Sequence, residues 1–173
     1  FEKITSDLAA IIIEPVQGSN PRSDIKIFLQ KLRKRCNETG VLLIFDEVMT
    51  GFRLSMRGGA NIFNVKPDLV TYGKVLGGGF PIGALGGKKE IMKTKEVFYG
   101  GTFSANPLTM YAAKLILKTI VNKKYIRYDK LNFLGELFRD KLNKIFIDKN
   151  KSMRVIGCGS TNRIIFTDKF IKN

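Results

Sequence analysis

Three side chains able to hold or exchange a proton stand just after short apolar or β-branched segments: Glu14 after Leu8–Ile13, Asp46 after Val41–Phe45, and Lys74 after Asp68–Tyr72 and Gly73. In an open α/β sheet, residues at the carboxyl ends of neighbouring strands converge on one crevice, so these three are expected to share a site. Asp46 follows five apolar residues, and a poorly solvated carboxylate stays ionised only when a cation or several donors face it. A unit positive charge ~3 Å away at an effective dielectric of ~20 contributes about 5 kcal/mol before desolvation, enough to keep a bound ring nitrogen protonated. The plainer alternative is that Asp46 caps the following turn or pairs with Lys74. Lys74 itself precedes Gly77-Gly78-Gly79, where little side-chain bulk keeps a ligand from the amine. A lysine that forms a Schiff base must lose its proton, so desolvation or nearby cations must lower its pKa from ~10.4. An ordinary surface lysine is the alternative there.

The elements that must position these groups follow from periodicity. Asp7–Glu14 reads as a buried strand closed by Pro15 and Gly18. From Ser23, residues Ile25, Phe28, Leu29, Leu32 and Cys36 form a helical stripe ended by Gly40, and Val41–Phe45 is a second buried strand. Strand, helix, strand is the unit of a parallel sheet, so the fold class is α/β. Met49–Pro67 reads as a loop-rich connection, Asp68–Tyr72 as a third strand, Ile82–Gly86 as a small-residue strand and Lys88–Lys93 as a short helix. Asn106-Pro107 opens another helix, capping residue then proline, which runs to about Val121. Leu131, Leu134, Phe138, Leu142 and Ile145 recur at helical spacing, and Met153–Ile156 and Arg163–Phe166 read as strands. The character changes near Lys123, which divides the chain into 1–122, a glycine-rich α/β part, and 123–173, a lysine-rich helix with strands. Beginning without Met and nearly inside a strand, and ending just after another, the chain reads as a fragment of a longer protein.

Composition removes several functions. The 173 residues are 44% hydrophobic and 26% charged, which is globular rather than disordered. No apolar run approaches the roughly 20 residues of a membrane helix, and the N-terminus lacks the features of a secretory signal, so the expected location is cytoplasmic. No His is present, and Cys36 and Cys158 are far apart; zinc hydrolysis and Ser-His-Asp chemistry are not expected, and no metal site is assigned. An apolar strand ending in Asp46-Glu47 also suits a magnesium-binding strand of a P-loop ATPase, but the phosphate-cradling motif is absent and Lys74 is followed by Val75. The net charge of +15 and the cluster Lys123-Lys124-Tyr125-Ile126-Arg127-Tyr128 raise nucleic-acid binding as a rival, set against the usual solvated face.

Three stretches carry a family resemblance: Leu42-Leu43-Ile44-Phe45-Asp46-Glu47-Val48-Met49-Thr50-Gly51-Phe52-Arg53, Lys66-Pro67-Asp68-Leu69-Val70-Thr71-Tyr72-Gly73-Lys74-Val75-Leu76-Gly77-Gly78-Gly79, and Gly100-Gly101-Thr102-Phe103-Ser104-Ala105-Asn106-Pro107. Their order and spacing resemble the class III aminotransferases, fold-type I enzymes dependent on pyridoxal 5′-phosphate, and Glu14-Pro15-Val16-Gln17-Gly18 fits the same pattern. The run Asp46–Arg53 is most similar to the glutamate-1-semialdehyde 2,1-aminomutase branch, which makes 5-aminolevulinate for tetrapyrrole synthesis; an ω-amino-group transaminase and an inactive, truncated relic of the fold are the alternatives. The resemblance implies part of a large cofactor-binding domain, a mainly parallel sheet flanked by helices, in 1–122. It further implies an interdomain helix and the start of a small C-terminal α+β domain in 123–173, with Gly157-Cys158-Gly159-Ser160 and Phe166-Thr167-Asp168 at that domain's beginning. It makes Lys74 the catalytic lysine that bonds the cofactor and moves protons, Asp46 the partner of the pyridine nitrogen, and Val48 a residue packed on the ring face. Gly101 and Thr102 would supply phosphate donors to a neighbouring subunit in a homodimer, Glu14 would lie near the site, and the substrate would be a small amino, aldehyde or keto compound. Two departures bear on the substrate: the connection from Ile91-Met92 to Gly101-Thr102 is short for an aminomutase, and Phe103 and Ala105 stand where that branch more often has Leu and Gly.

Overall fold

A computed structural model describes residues 1–93, 100–122 and 126–167. Its centre is a four-stranded sheet of β1 (Ala10–Ile13), β2 (Leu42–Asp46), β3 (Leu69–Tyr72) and β4 (Ala84–Gly87), in that spatial order. The first three strands are parallel and β4 returns antiparallel to β3. Register pairs Ile13 with Phe45 and Asp46 with Thr71, so Glu14, Asp46 and the residues after Tyr72 emerge at one edge. The α/β expectation is met.

Helix α1 (Lys26–Thr39) crosses between β1 and β2 and stops at Gly40, whose φ of 75° is one that glycine adopts without steric cost. Its Leu29, Leu32 and Cys36 pack with Leu43 and Phe45 of β2 and with Val16, Leu54, Phe63 and Val65. Each such side chain contributes about 1.5–3 kcal/mol on burial, which makes this layer the main source of stability. The opposite face of the sheet is more open: Ile12 is 62% exposed. The buried strand read at Asp7–Glu14 is therefore corrected to a shorter strand at one end of the sheet order, with Ile11 and Ile13 partly buried and Ala10 and Ile12 exposed.

Asp68 ties three elements together. Its carboxylate accepts from the Leu43 amide at 2.7 Å and from Arg33 of α1 at 2.6 Å, and pairs with Lys88 beyond β4 at 2.5 Å. Burial raises its pKa, but the Leu43 amide, Lys88 and Arg33 outweigh that and hold it below the ordinary carboxylate value.

A second difference from the sequence reading lies in the connection after β2, which contains a helix, α2 (Gly58–Phe63). Two glycines at its start hide it from propensity. What holds it is the Glu47 carboxylate, which accepts from the Gly59 and Ala60 amides, each at 2.8 Å, donors that a helix N-terminus otherwise leaves unpaired.

After the short α3 (Lys89–Met92) comes α4 (Pro107–Val121), whose cap is Asn106: its Oδ1 accepts from the Leu108 and Thr109 amides at 3.1 and 3.2 Å. Then α5 (Tyr128–Asp148) packs on a hairpin of β5 (Met153–Cys158) and β6 (Thr161–Phe166). The helix is where the spacing puts it, but its packed face is not the apolar stripe. Asn132, Gly135, Arg139 and Asn143 meet the hairpin: Asn143 exchanges two hydrogen bonds with Val155, at 2.7 and 2.9 Å, and Arg139 reaches Asn162 at 2.5 Å. Leu131, Leu134, Phe138 and Ile145 are exposed. The expected boundary near Lys123, the cations at 123–125 and the Asp168 end of the last motif lie outside the described residues. Among the described residues, no helix is long and apolar enough to cross a membrane.

Candidate active site

The site is built where β2 and β3 end. Along β2 the side chains alternate, Leu43 and Phe45 facing the α1 core and Leu42, Ile44 and Asp46 the other way. Asp46 is half-buried, and its Oδ1 accepts from the Val48 amide at 3.0 Å and from the Thr71 hydroxyl at 3.2 Å. Among the described residues no donor reaches Oδ2 and no ion pair joins Asp46 to Lys74. Capping of the following turn is therefore real, the direct pairing is not, and one carboxylate oxygen stays free to accept from a ligand.

Lys74 follows β3 through Gly73 and begins a single 3₁₀ turn, Lys74–Gly77. Its φ is +44°, a conformation that costs a side-chain-bearing residue about 1 kcal/mol or more and that recurs at functional sites. Lys74 is exposed. Beside it, a methyl group on Gly73 would come within 3.3 Å of Val48 Cγ1 and 3.2 Å of the Ile82 carbonyl. The backbone before Lys74 thus lies against Val48. Helix α4 packs behind the turn, with Ile116 3.0 Å from where a Gly78 Cβ would stand.

Glu14 lies at the same edge, one residue past β1, and its Oε2 accepts from the Gly18 amide at 3.0 Å, which shapes its own loop. Gly101 and Thr102 are exposed in the turn before α4, where the Gly101 carbonyl accepts from Ser104 at 2.9 Å. No hydrogen bond links them to Asp46, Val48 or Lys74 among the described residues. The structure thus gathers Asp46, Val48 and Lys74, sets Glu14 alongside on the next strand, and leaves Gly101 and Thr102 facing outward.

Glu47 was the residue missed. It is fully buried, accepts from the Thr50 hydroxyl and from two α2 amides, and its pKa is raised, first by burial and then by the neighbouring Asp46 charge, against the lowering effect of its donors. The signal was available: with Val41, Leu43 and Phe45 on the core face, the next odd position faces inward too. Gly58 belongs to the same arrangement, since at its φ of 62° a Cβ would overlap the Glu47 carboxylate.

An apolar wall at Val48, a carboxylate oxygen without a protein donor and an amine presented from a glycine turn suit a flat, protonated heteroaromatic ring bearing an aldehyde. The chain matches Aminotransferase class-III over residues 1–169. It is 43% identical over 176 aligned residues to glutamate-1-semialdehyde 2,1-aminomutase 2 of Lachnoclostridium phytofermentans, covering 97% of this chain and 40% of that protein. Among solved structures, a β-phenylalanine aminotransferase from Variovorax paradoxus superposes with a TM-score of 0.83 at 34% identity, over 95% of this chain and 39% of that one. A transaminase with PLP bound superposes with a TM-score of 0.79 at 28% identity, over 92% of this chain and 39% of that one. The chain therefore spans about 40% of the length of the curated relative it matches. With the family model matched over residues 1–169, the chain belongs to the class-III aminotransferases.

Proposed function

We propose that the protein transfers amino groups with pyridoxal 5′-phosphate, as part of a glutamate-1-semialdehyde 2,1-aminomutase of the cytoplasm. The observation that supports this reading is that Asp46 ends β2 and Lys74 begins the turn just after the adjacent parallel β3, Asp46 having no donor on Oδ2 among the described residues. The cofactor, when bound, supplies the electron sink for the pair left at the substrate carbon. Lys74 Nζ would hold the cofactor's aldehyde and, when freed as an amine, would carry a proton to and from the substrate carbon. Asp46 Oδ2 would accept from the ring nitrogen and keep it protonated, while the Val48 amide and Thr71 hydroxyl hold Oδ1 so that the carboxylate does not rotate away. Val48 would cover one ring face. Residues 1–122 would form part of the cofactor-binding domain and 123–173 the start of the smaller one.

Gly101 and Thr102 are proposed to serve the site of a second subunit in a homodimer; their exposure, with Phe103 85% exposed beside them, supports an outward-facing role. An ω-amino-group transaminase is the second reading, favoured by the structural match to the β-phenylalanine enzyme. The two part on one assay. The full-length protein supplied with glutamate-1-semialdehyde should form 5-aminolevulinate without an added amino acceptor; exchange only between separate donor and acceptor would favour the transaminase.

A further inference from the structure

Tyr128, the first residue of α5, donates its hydroxyl to the Phe52 carbonyl at 3.0 Å in a half-buried setting. Phe52 has a φ of +59° although it carries a side chain, so its backbone stays there only if neighbours hold it. Its ring lies against Tyr72, with centroids 5.0 Å apart and planes tilted by 37°. A Cβ on adjacent Gly51 would meet the Tyr72 ring at 2.5 Å, so the Gly51-Phe52 backbone and that ring have no slack between them. Tyr72 ends β3 two residues before Lys74, itself held at a φ of +44°. Asn132 Nδ2 of α5 adds a bond to the Leu54 carbonyl at 2.9 Å.

We infer that Tyr128 is a positioning residue for Lys74: its hydroxyl locks Phe52 in the left-handed conformation, Phe52 fixes the Tyr72 ring, and the end of β3 then presents the lysine. The route makes the α5 module a determinant of how the amine is aimed. It rests on the reading of Lys74 as the cofactor-bonding lysine, and it goes beyond it by assigning a control from outside the sheet.

The test is on the full-length protein, incubated with limiting pyridoxal 5′-phosphate and reduced with borohydride, with the label on each lysine quantified by peptide mapping. Lys114 and Lys118 on α4 serve as internal references. Tyr128→Phe should lower the label on Lys74 relative to the references by about five-fold, the ratio that one ordinary hydrogen bond can set. Phe52→Gly tolerates a positive φ without help, so adding Tyr128→Phe to it should change Lys74 no further. Asn143→Ala, which loosens α5 from β5 without touching Phe52, should lower the melting temperature and leave the Lys74 ratio unchanged.

An unchanged Lys74 ratio in Tyr128→Phe, additive effects in the double variant, or an equal loss in Asn143→Ala would each overturn the inference. Label concentrated on a lysine other than Lys74 in the unaltered protein would instead overturn the functional reading beneath it.

Discussion

Two neighbouring carboxylates at the end of β2 are put to opposite uses, and the strand's alternation decides which. Asp46 falls on the open face with one oxygen unclaimed, whereas Glu47 falls on the core face with donors around it. Burial is the first cause that raises the Glu47 pKa above its ordinary 4.5. A carboxyl with a raised folded pKa binds its proton more tightly when folded, so its contribution is complete below the ordinary value and is lost as pH rises through the folded one. Urea titrations at increasing pH above that value should therefore show a stability loss that Glu47→Gln flattens; an identical slope in the variant would contradict this. Asp68 has the opposite sign: its lowered pKa gives a contribution present above 3.8 and lost as acid carries the pH down through the folded value. Asp68→Asn should cost about 3 kcal/mol near neutrality, because the largely buried Arg33 loses its counter-charge. Asp46 and Lys74 were legible in the sequence because each ends a strand. Glu47 was not legible as a structural carboxylate because its partners, the first amides of α2, come from a segment that glycines disguise as loop.

At the scale of elements, the strands and long helices follow from apolar periodicity, but the face that each helix packs does not always do so. In α1, Leu29, Leu32 and Cys36 of the expected stripe are buried, whereas Phe28 is exposed and Ile25 precedes the helix. In α5 the packed face is Asn132, Gly135, Arg139 and Asn143, because the partner is a hairpin whose turn and edge offer carbonyls and amides to be satisfied. Hydropathy reports where apolar residues lie and is silent about which backbone groups need partners. Gly135 gives a test in which two effects oppose each other. Gly to Ala inside a helix ordinarily stabilises by about 1 kcal/mol. Here the added Cβ would collide with the Gly159 carbonyl and lie 2.6 Å from Ser160 Cα, both backbone. Gly135→Ala should therefore destabilise by about 1–3 kcal/mol, measured by thermal or urea unfolding; a more stable variant would show that the helix does not hold the hairpin this closely.

At the scale of the whole molecule, two helices carry apolar faces that nothing in this chain covers among the described residues: Leu108, Tyr111 and Leu115 on α4, and Leu134, Phe138 and Ile145 on α5. Exposed apolar surface of this extent marks an interaction face, so the 173-residue polypeptide prepared alone should self-associate in sedimentation experiments. Leu134→Glu with Phe138→Glu should reduce that association without loss of helicity by circular dichroism; unchanged association would place the sticky surface elsewhere. The central claim concerns one amine. Full-length protein loaded with pyridoxal 5′-phosphate, reduced with borohydride, digested and mapped by mass spectrometry should carry its stoichiometric pyridoxyl group on Lys74, with only trace label on surface lysines. A stoichiometric label on any other lysine, with Lys74 unmodified, would contradict the account.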